Sequence, residues 1–307
     1  MHSKMAKRSV GEALLMIGYL LLVSSLASAL EAGEYLDMSH SFDETTPYWP
    51  GSAGGFELDI QARGPAGSLP WYEANAFSAP EHGGTHIDAP SHFSHGKLRI
   101  DAIPVGHFFG PAVRVDISSQ SEANEDYEMT IGDLQDWEEV HGKIPGGSLL
   151  FVFTDWGAFY PDRLTYFGSA RNDTYLNDQG ESLLHFPGVS PEAATWLVAN
   201  RNISGLGIDT ASVDYGQSTV FMTHQILFEA NIYGMENVAN LDQLPNTGAN
   251  VQALPMKITD GSGAPARIVA MLDGDSTSGA PPLSAALTAF SSFLGLVLLA
   301  VVLQFAK

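Results

Sequence analysis

Four short apolar runs do most to limit the folds open to this chain: Ala112–Ile117, Ser148–Phe153, Gly205–Asp209 and Ala266–Met271. Their length and their Val, Ile, Leu and Phe content predict buried strands. Helical patterns lie between them. Thr130–Glu139 opens on a capping threonine followed by an acidic first turn, and Ser190–Ala199 has Ser at the N-cap and Pro at the first helical position. Strands alternating with helices predict an α/β domain. Strand order is not legible in these runs. Residues 34–272 show no repeat of solenoid length and no low-complexity linker, so one domain is expected there.

The two ends read differently from the middle. Lys4, Lys7 and Arg8 precede an apolar core, Ala13–Val23, and the small residues Ala27-Ser28-Ala29, which together predict a signal peptide over residues 1–29. Residues 273–282 are small and polar, in the manner of a flexible linker. Residues 283–307 form an apolar anchor, with no charged residue between Leu283 and Ala306. That segment fits a GPI-attachment signal, with Ser276, Ser278 or Gly279 as attachment points, or a one-pass transmembrane helix. Both versions place the domain (residues 30–272) in the secretory pathway, on the extracellular or luminal side, tethered at its C-terminus. The triplets at Asn172 and Asn202 are glycosylation sequons, in keeping with that compartment.

Without the ends, about 245 residues remain, enough for one large domain. Setting aside Lys4, Lys7, Arg8, Lys307 and Glu12 leaves 10 basic against 34 acidic residues, a formal charge of −24. Such a surface repels nucleic acid and limits membrane contact to the tail. The chain has no cysteine. An ordinary core, helped by metal if one binds, must therefore hold the fold.

The densest chemistry lies in His82-Gly-Gly-Thr-His-Ile-Asp-Ala-Pro-Ser-His-Phe93. In an extended segment alternate side chains share a face, so His82, His86 and Asp88 are expected together, with Gly84 leaving space between them. Thr85 and Ile87 then turn toward packing, Pro90 ends the strand, and His92 follows on a turn. Two imidazoles and a carboxylate at this spacing make a metal site with room for further ligands. His40, His95, His107, His141 and His185 have no such pattern and read as ordinary.

Glu81–Phe93 resembles the H-x-G-T-H-x-D-x-P-x-H signature of the cyclase family, which includes bacterial kynurenine formamidases and isatin hydrolases. Three other segments extend the resemblance. Pro47-Tyr-Trp-Pro-Gly51 is similar to the family's W-P-G segment, and Gly207–Asp214 to its G-x-D-T-x-S-x-D strand end. Thr223-His224 with Gly234–Val238 is similar to its distal H…E-N pair. The resemblance implies metal ligands at His82, His86, Asp88, His224 and Glu236, with Asp88 able to bridge two ions. It implies His92 as the catalytic acid/base and Trp49 as a substrate contact. Asp209, Asp214 and Asn237 have either a structural or a site role.

The fold implied is a barrel-like mixed β-sheet flanked by helices, assembled as a homo-oligomer. The cofactor implied is divalent: zinc, with two ions favoured because glutamate stands at 236 where isatin hydrolase has glutamine, or manganese. The activity implied is metal-dependent hydrolysis of a non-peptide C–N bond in a small molecule. An aryl formamide such as N-formylkynurenine is the first substrate choice and a cyclic amide of the isatin type the alternative. A tethered binding protein that keeps the metal without turnover is a rival from another class, and an adhesion protein has only the anchor and sequons behind it.

Overall fold

The computed structural model describes residues 34–273, and strands alternate with helices through them. The strands are β1 (Tyr35–Asp37), β2 (Glu57–Ala66), β3 (Leu69–Ser78), β4 (His86–Asp88), β5 (Phe109–Asp116) and β6 (Glu128–Met129). They continue with β7 (Leu149–Phe153), β8 (Gly188–Val189), β9 (Gly205–Ile208), β10 (Tyr233–Glu236), β11 (Ala249–Pro255) and β12 (Gly263–Leu272). The helices are α1 (Ser118–Ala123), α2 (Ile131–His141), α3 (Arg163–Phe167), α4 (Pro191–Asn200) and α5 (Met222–Glu229). The expected signal peptide and apolar tail lie outside the described residues, as does most of the linker. No helix among the described residues is long and apolar enough to cross a membrane.

Each of the four apolar runs is a strand, and hydrogen bonding arranges them with β4, β10 and β11 in the order β12-β11-β5-β7-β9-β10-β4. The start of β12 also pairs with β4, with Gly263 opposite Asp88, which closes the seven strands into a barrel. The β5–β7, β7–β9 and β9–β10 pairs are parallel and the remaining pairs antiparallel, a mixed sheet. Closure leaves no unpaired edge within the ring. β1 pairs with the outer side of β12.

The core has two layers because side chains alternate along each strand. In β7, Leu149, Phe151 and Phe153 pack with Val251, Ala253, Ile268 and Ala270 of β11 and β12. Leu150 and Val152 face the other way, toward Leu134 and Trp137 of α2, Leu197 of α4 and Leu227 and Phe228 of α5. Each buried Leu, Val, Ile or Phe among them contributes about 1.5–3 kcal/mol. β7 is buried at every position, as a strand with both faces covered must be. The two expected caps are present. Thr130 and Asp133 exchange hydrogen bonds at the start of α2, and Ser190 Oγ accepts from Ala193 N–H at 3.1 Å.

The structure departs from expectation at the histidine motif. The extended stretch through the histidine motif is interrupted, and only His86–Asp88 is strand. Gly84 takes φ +57, and a Cβ there would lie 2.6 Å from the Phe42 ring. The glycines at 83 and 84 therefore turn the chain and admit the Tyr48 and Phe42 rings rather than spacing ligands along one strand. The segment Phe56–Phe77 is largely a two-stranded ribbon, β2–β3, exposing Leu58, Ile60, Trp71 and Phe77.

Candidate metal centre

Two pairings of β4 assemble the site. β10 runs antiparallel beside β4, so Glu236 stands directly opposite His86, and β12 supports the other edge. α5 packs over β10 and carries His224 inward. Four imidazoles and two carboxylates therefore meet at one end of the barrel wall, drawn from residues 82 to 236.

Asp88 is the hub. Its Oδ1 lies 2.6 Å from His82 Nδ1 and 3.1 Å from His86 Nε2. Its Oδ2 lies 3.3 Å from His224 Nε2 and 3.9 Å from His92 Nε2. Glu236 closes the opposite side, with Oε1 3.0 Å from His224 Nε2 and Oε2 3.5 Å from His86 Nε2. Two groups of three suit an ion, His82–Asp88–His92 and His86–Asp88–Glu236, and they share Asp88.

The outer nitrogen of each ligand-type imidazole is held by an acceptor. His86 Nδ1 donates to Gly84 C=O at 2.9 Å, and His224 Nδ1 to Asp214 Oδ2 at 2.6 Å. Ser262 Oγ donates to Glu81 at 2.7 Å, so it accepts from His82 Nε2 at 2.8 Å. The inner nitrogens, His82 Nδ1, His86 Nε2 and His224 Nε2, thus present lone pairs to a shared centre, the pattern by which outer partners orient metal ligands. Gly263 is small for the same reason, since a Cβ there would lie 2.5 Å from His82 Cε1.

The charges fit a cation. His86 Nε2 is buried with no hydrogen-bond partner. Burial would lower the His86 pKa, but Asp88 and Glu236 outweigh it and push it up to about 9. Burial also opposes protonation of His224, yet Asp214, Asp88 and Glu236 raise it well above the usual imidazole range. Burial works against ionised Asp88, and the surrounding imidazoles nevertheless hold it well below the usual carboxylate range. Such a cluster demands positive charge at its centre, and imidazole with carboxylate is a donor set for zinc or manganese.

His92 differs from the other three. It stacks on His82 with ring centroids 3.8 Å apart, and its side chain keeps 30% of its surface exposed. Burial and then the neighbouring imidazoles lower its pKa to about 4 against the pull of Asp88.

The cluster lies in a cavity of about 300 Å³ whose other walls include Pro47, Trp49, Phe93, Phe167, Tyr175 and Phe221. No Lys or Arg is among its lining residues.

All the residues singled out from the motifs at 82–92, 224 and 236 come together here, with Trp49 on the wall. Asp214 belongs to the site through His224, whereas Asp209 accepts hydrogen bonds from Thr154 N–H and Oγ and holds the turn after β7. Asn237 lines the cavity, its Oδ1 2.8 Å from the Tyr166 hydroxyl. Ser262 was missed, and nothing in its neighbourhood marks it. Glu81 was adjacent to the motif, but its role depends on Ser262. Asn172 and Asn202 are exposed away from the cavity lining. His185 meets Glu125 and Asp126 in a separate surface cluster.

The Cyclase family model matches residues 36–215. Isatin hydrolase of Roseibium aggregatum is 32% identical over 211 residues, which cover 66% of this chain and 76% of that protein. Kynurenine formamidase of Bacillus cytotoxicus is 24% identical over 245 residues, 78% of this chain and 98% of its own. The solved structure of isatin hydrolase A from Ralstonia solanacearum superposes with a TM-score of 0.69 at 33% identity, covering 82% of this chain and 96% of that one. The family match ends before His224 and Glu236, and the β4–β10 register is what brings these two into the cluster.

Proposed function

This chain belongs to the cyclase family of metal-dependent hydrolases acting on amide C–N bonds, and we propose that its substrate is a small, neutral aromatic amide. The observation that carries this is the cavity, in which aromatic walls lead down to the ligand cluster and no lining side chain is cationic. N-formylkynurenine carries a carboxylate, which such a wall leaves unpaired. A cyclic amide of the isatin type presents only a flat ring and carbonyls. The cavity therefore suits a cyclic amide better than the aryl formamide. Glu236 favours the formamide, because the resemblance associates glutamate there with formamidases.

His82, His86, Asp88, His224 and Glu236 would hold the metal, zinc or manganese, with two ions favoured because glutamate stands at 236 and Asp88 lies between His82 on one side and His86 and Glu236 on the other. A divalent ion supplies Lewis acidity toward a carbonyl and toward water. The protein's part is to orient and to move protons. Asp214, Ser262 and Gly84 fix the imidazole tautomers. His92 Nε2 faces the cavity, takes a proton from the attacking water and returns it to the leaving nitrogen, which a poor leaving group requires. The apolar wall excludes bulk water around these charges.

Luminal or extracellular placement, the C-terminal tether and glycosylation are part of the same proposal, supported by the apolar ends and the exposed sequons. Homo-oligomerisation is supported by the apolar side chains of the β2–β3 ribbon, since an isolated two-stranded hairpin is marginal in water. The direct test is to load the domain with zinc or manganese and follow isatin ring opening and N-formylkynurenine deformylation by absorbance. Higher kcat/KM on isatin is expected. No turnover of either amide with either metal overturns the hydrolase reading.

A further inference from the structure

Six non-glycine residues among those described have a left-handed backbone, and five of them are Asn or Asp: Asp155, Asn231, Asn237, Asn240 and Asp260. Their short polar side chains tolerate that region. The sixth is Phe221, at φ 53 and ψ 49. A bulky aromatic in this conformation is a true outlier, and such outliers persist where surrounding structure enforces them.

Local sequence offers no reason for it. Phe221 is the N-cap of α5, a position that favours Ser, Thr, Asp or Asn in extended conformation, and it makes no side-chain cap. Asp214 caps the helix instead, accepting from Thr223 N–H at 3.0 Å and His224 N–H at 3.1 Å. Ser218 Oγ holds the Phe221 N–H at 3.0 Å. The capping work is thus transferred to other residues, which leaves the Phe221 ring free to serve the cavity.

In the cavity that ring is the junction of the aromatic wall. Its centroid lies 5.8 Å from Trp49, 6.1 Å from Tyr175, 5.2 Å from Phe93 and 6.1 Å from His224. It links the two outer rings to the metal-ligand histidine.

We propose that Phe221 determines specificity for aromatic over aliphatic amides, and that its left-handed backbone is retained because it places the ring at this junction. The proposal rests on the substrate reading above. Its first readout is binding, followed by stopped flow before turnover. Binding of isatin to the metal-loaded domain is read by quenching of tryptophan fluorescence, with Trp49→Phe identifying the Trp49 contribution. Phe221→Leu keeps an apolar side chain without the ring, and Phe221→Tyr keeps the ring. The dissociation constant should rise about tenfold in Phe221→Leu, the scale of one lost aromatic contact, and stay near wild type in Phe221→Tyr. The ratio of kcat/KM for isatin to that for N-formyl-n-butylamine should fall by a similar factor in Phe221→Leu.

An unchanged dissociation constant in Phe221→Leu, equal losses on both substrates, or no binding of isatin by the wild type overturns the proposal. Weakened binding in Phe221→Leu with no amide turnover by any form keeps it and removes the hydrolase reading instead.

Discussion

Asp214→Asn tests whether the cluster is oriented from outside. Asp214 accepts four hydrogen bonds: Oδ2 from His224 N–H and Nδ1–H, and Oδ1 from Thr223 N–H and Ser218 Oγ at 3.3 Å. The amide group of Asn replaces one of these oxygens. If it faces His224, the ring must give up its Nδ1 proton and carry it on Nε2, which blocks the lone pair aimed at Asp88 and Glu236. If it faces Ser218 and Thr223, the serine reorients and one backbone N–H of α5 loses its acceptor. The second arrangement preserves the ligand and should prevail with metal bound, but a neutral oxygen then replaces a charged one on Nδ1. Charged acceptors are about twice as strong, and loss of such outer partners typically weakens metal binding about 10- to 100-fold.

The retained oxygen puts the expectation at the low end, about tenfold, equivalent to about 1.4 kcal/mol. The unsatisfied helix N–H adds about 1 kcal/mol of destabilisation, or about 2–4 °C in Tm for a domain of this size. Chelator competition gives the first quantity and thermal melts of the metal-free protein the second. Lower Tm with wild-type metal affinity would show that Asp214 only caps the helix, and the orienting argument would be wrong.

Asp88→Asn should remove most bound metal, since an amide cannot neutralise the centre that both ligand groups share, and elemental analysis decides it. His92→Asn should retain metal and lose about 10²- to 10⁴-fold in kcat with little change in KM; parallel loss of metal would make His92 a ligand. Burial lifts the Asp209 pKa from 3.8 to about 6 against its hydrogen bonds from Thr154 and Gly157. The raised folded value means that its stabilising share is complete below about pH 3.8 and is lost as pH rises through about 6. Asp209→Asn should therefore be more stable than wild type at pH 7–8 by about 3 kcal/mol, with the gap closing near pH 4, in denaturant titrations. A gap that does not depend on pH would refute this.

Periodicity and end signals made the wall of the barrel legible, because burial on both faces demands unbroken apolar runs and caps are local chemistry. Thr130, Ser190 and Pro191 act where local rules place them. His82, His86 and Asp88 could be named because their types are rare in combination, and His224 and Glu236 only through the family resemblance, but the route by which His82 arrives was not legible, since it depends on the φ of one glycine against the Phe42 ring. Ser262 and Asp214 act across 180 and 10 residues respectively. The Ser262 contact exists only after β4 is paired with β12, which no window of sequence contains, whereas Asp214 lay within a motif and only its role toward His224 was hidden. Phe221 is the reverse case, a residue whose local preferences conflict with its position. Barrel closure was legible only through the family resemblance, because it rests on a three-residue register between β4 and β12.

That register sets a timetable for a ribosome-bound chain. β4 emerges early, but its two flanking strands end only at Glu236 and Leu272. Until both have been synthesised, the histidines of the motif sit on a backbone with neither edge satisfied, and Glu236 and Ser262 cannot reach them. Non-local pairing of this kind is slow. Ion capture is therefore a terminal event of biogenesis, and a chain stalled or truncated before residue 263 would expose histidines that bind metal loosely and without selection.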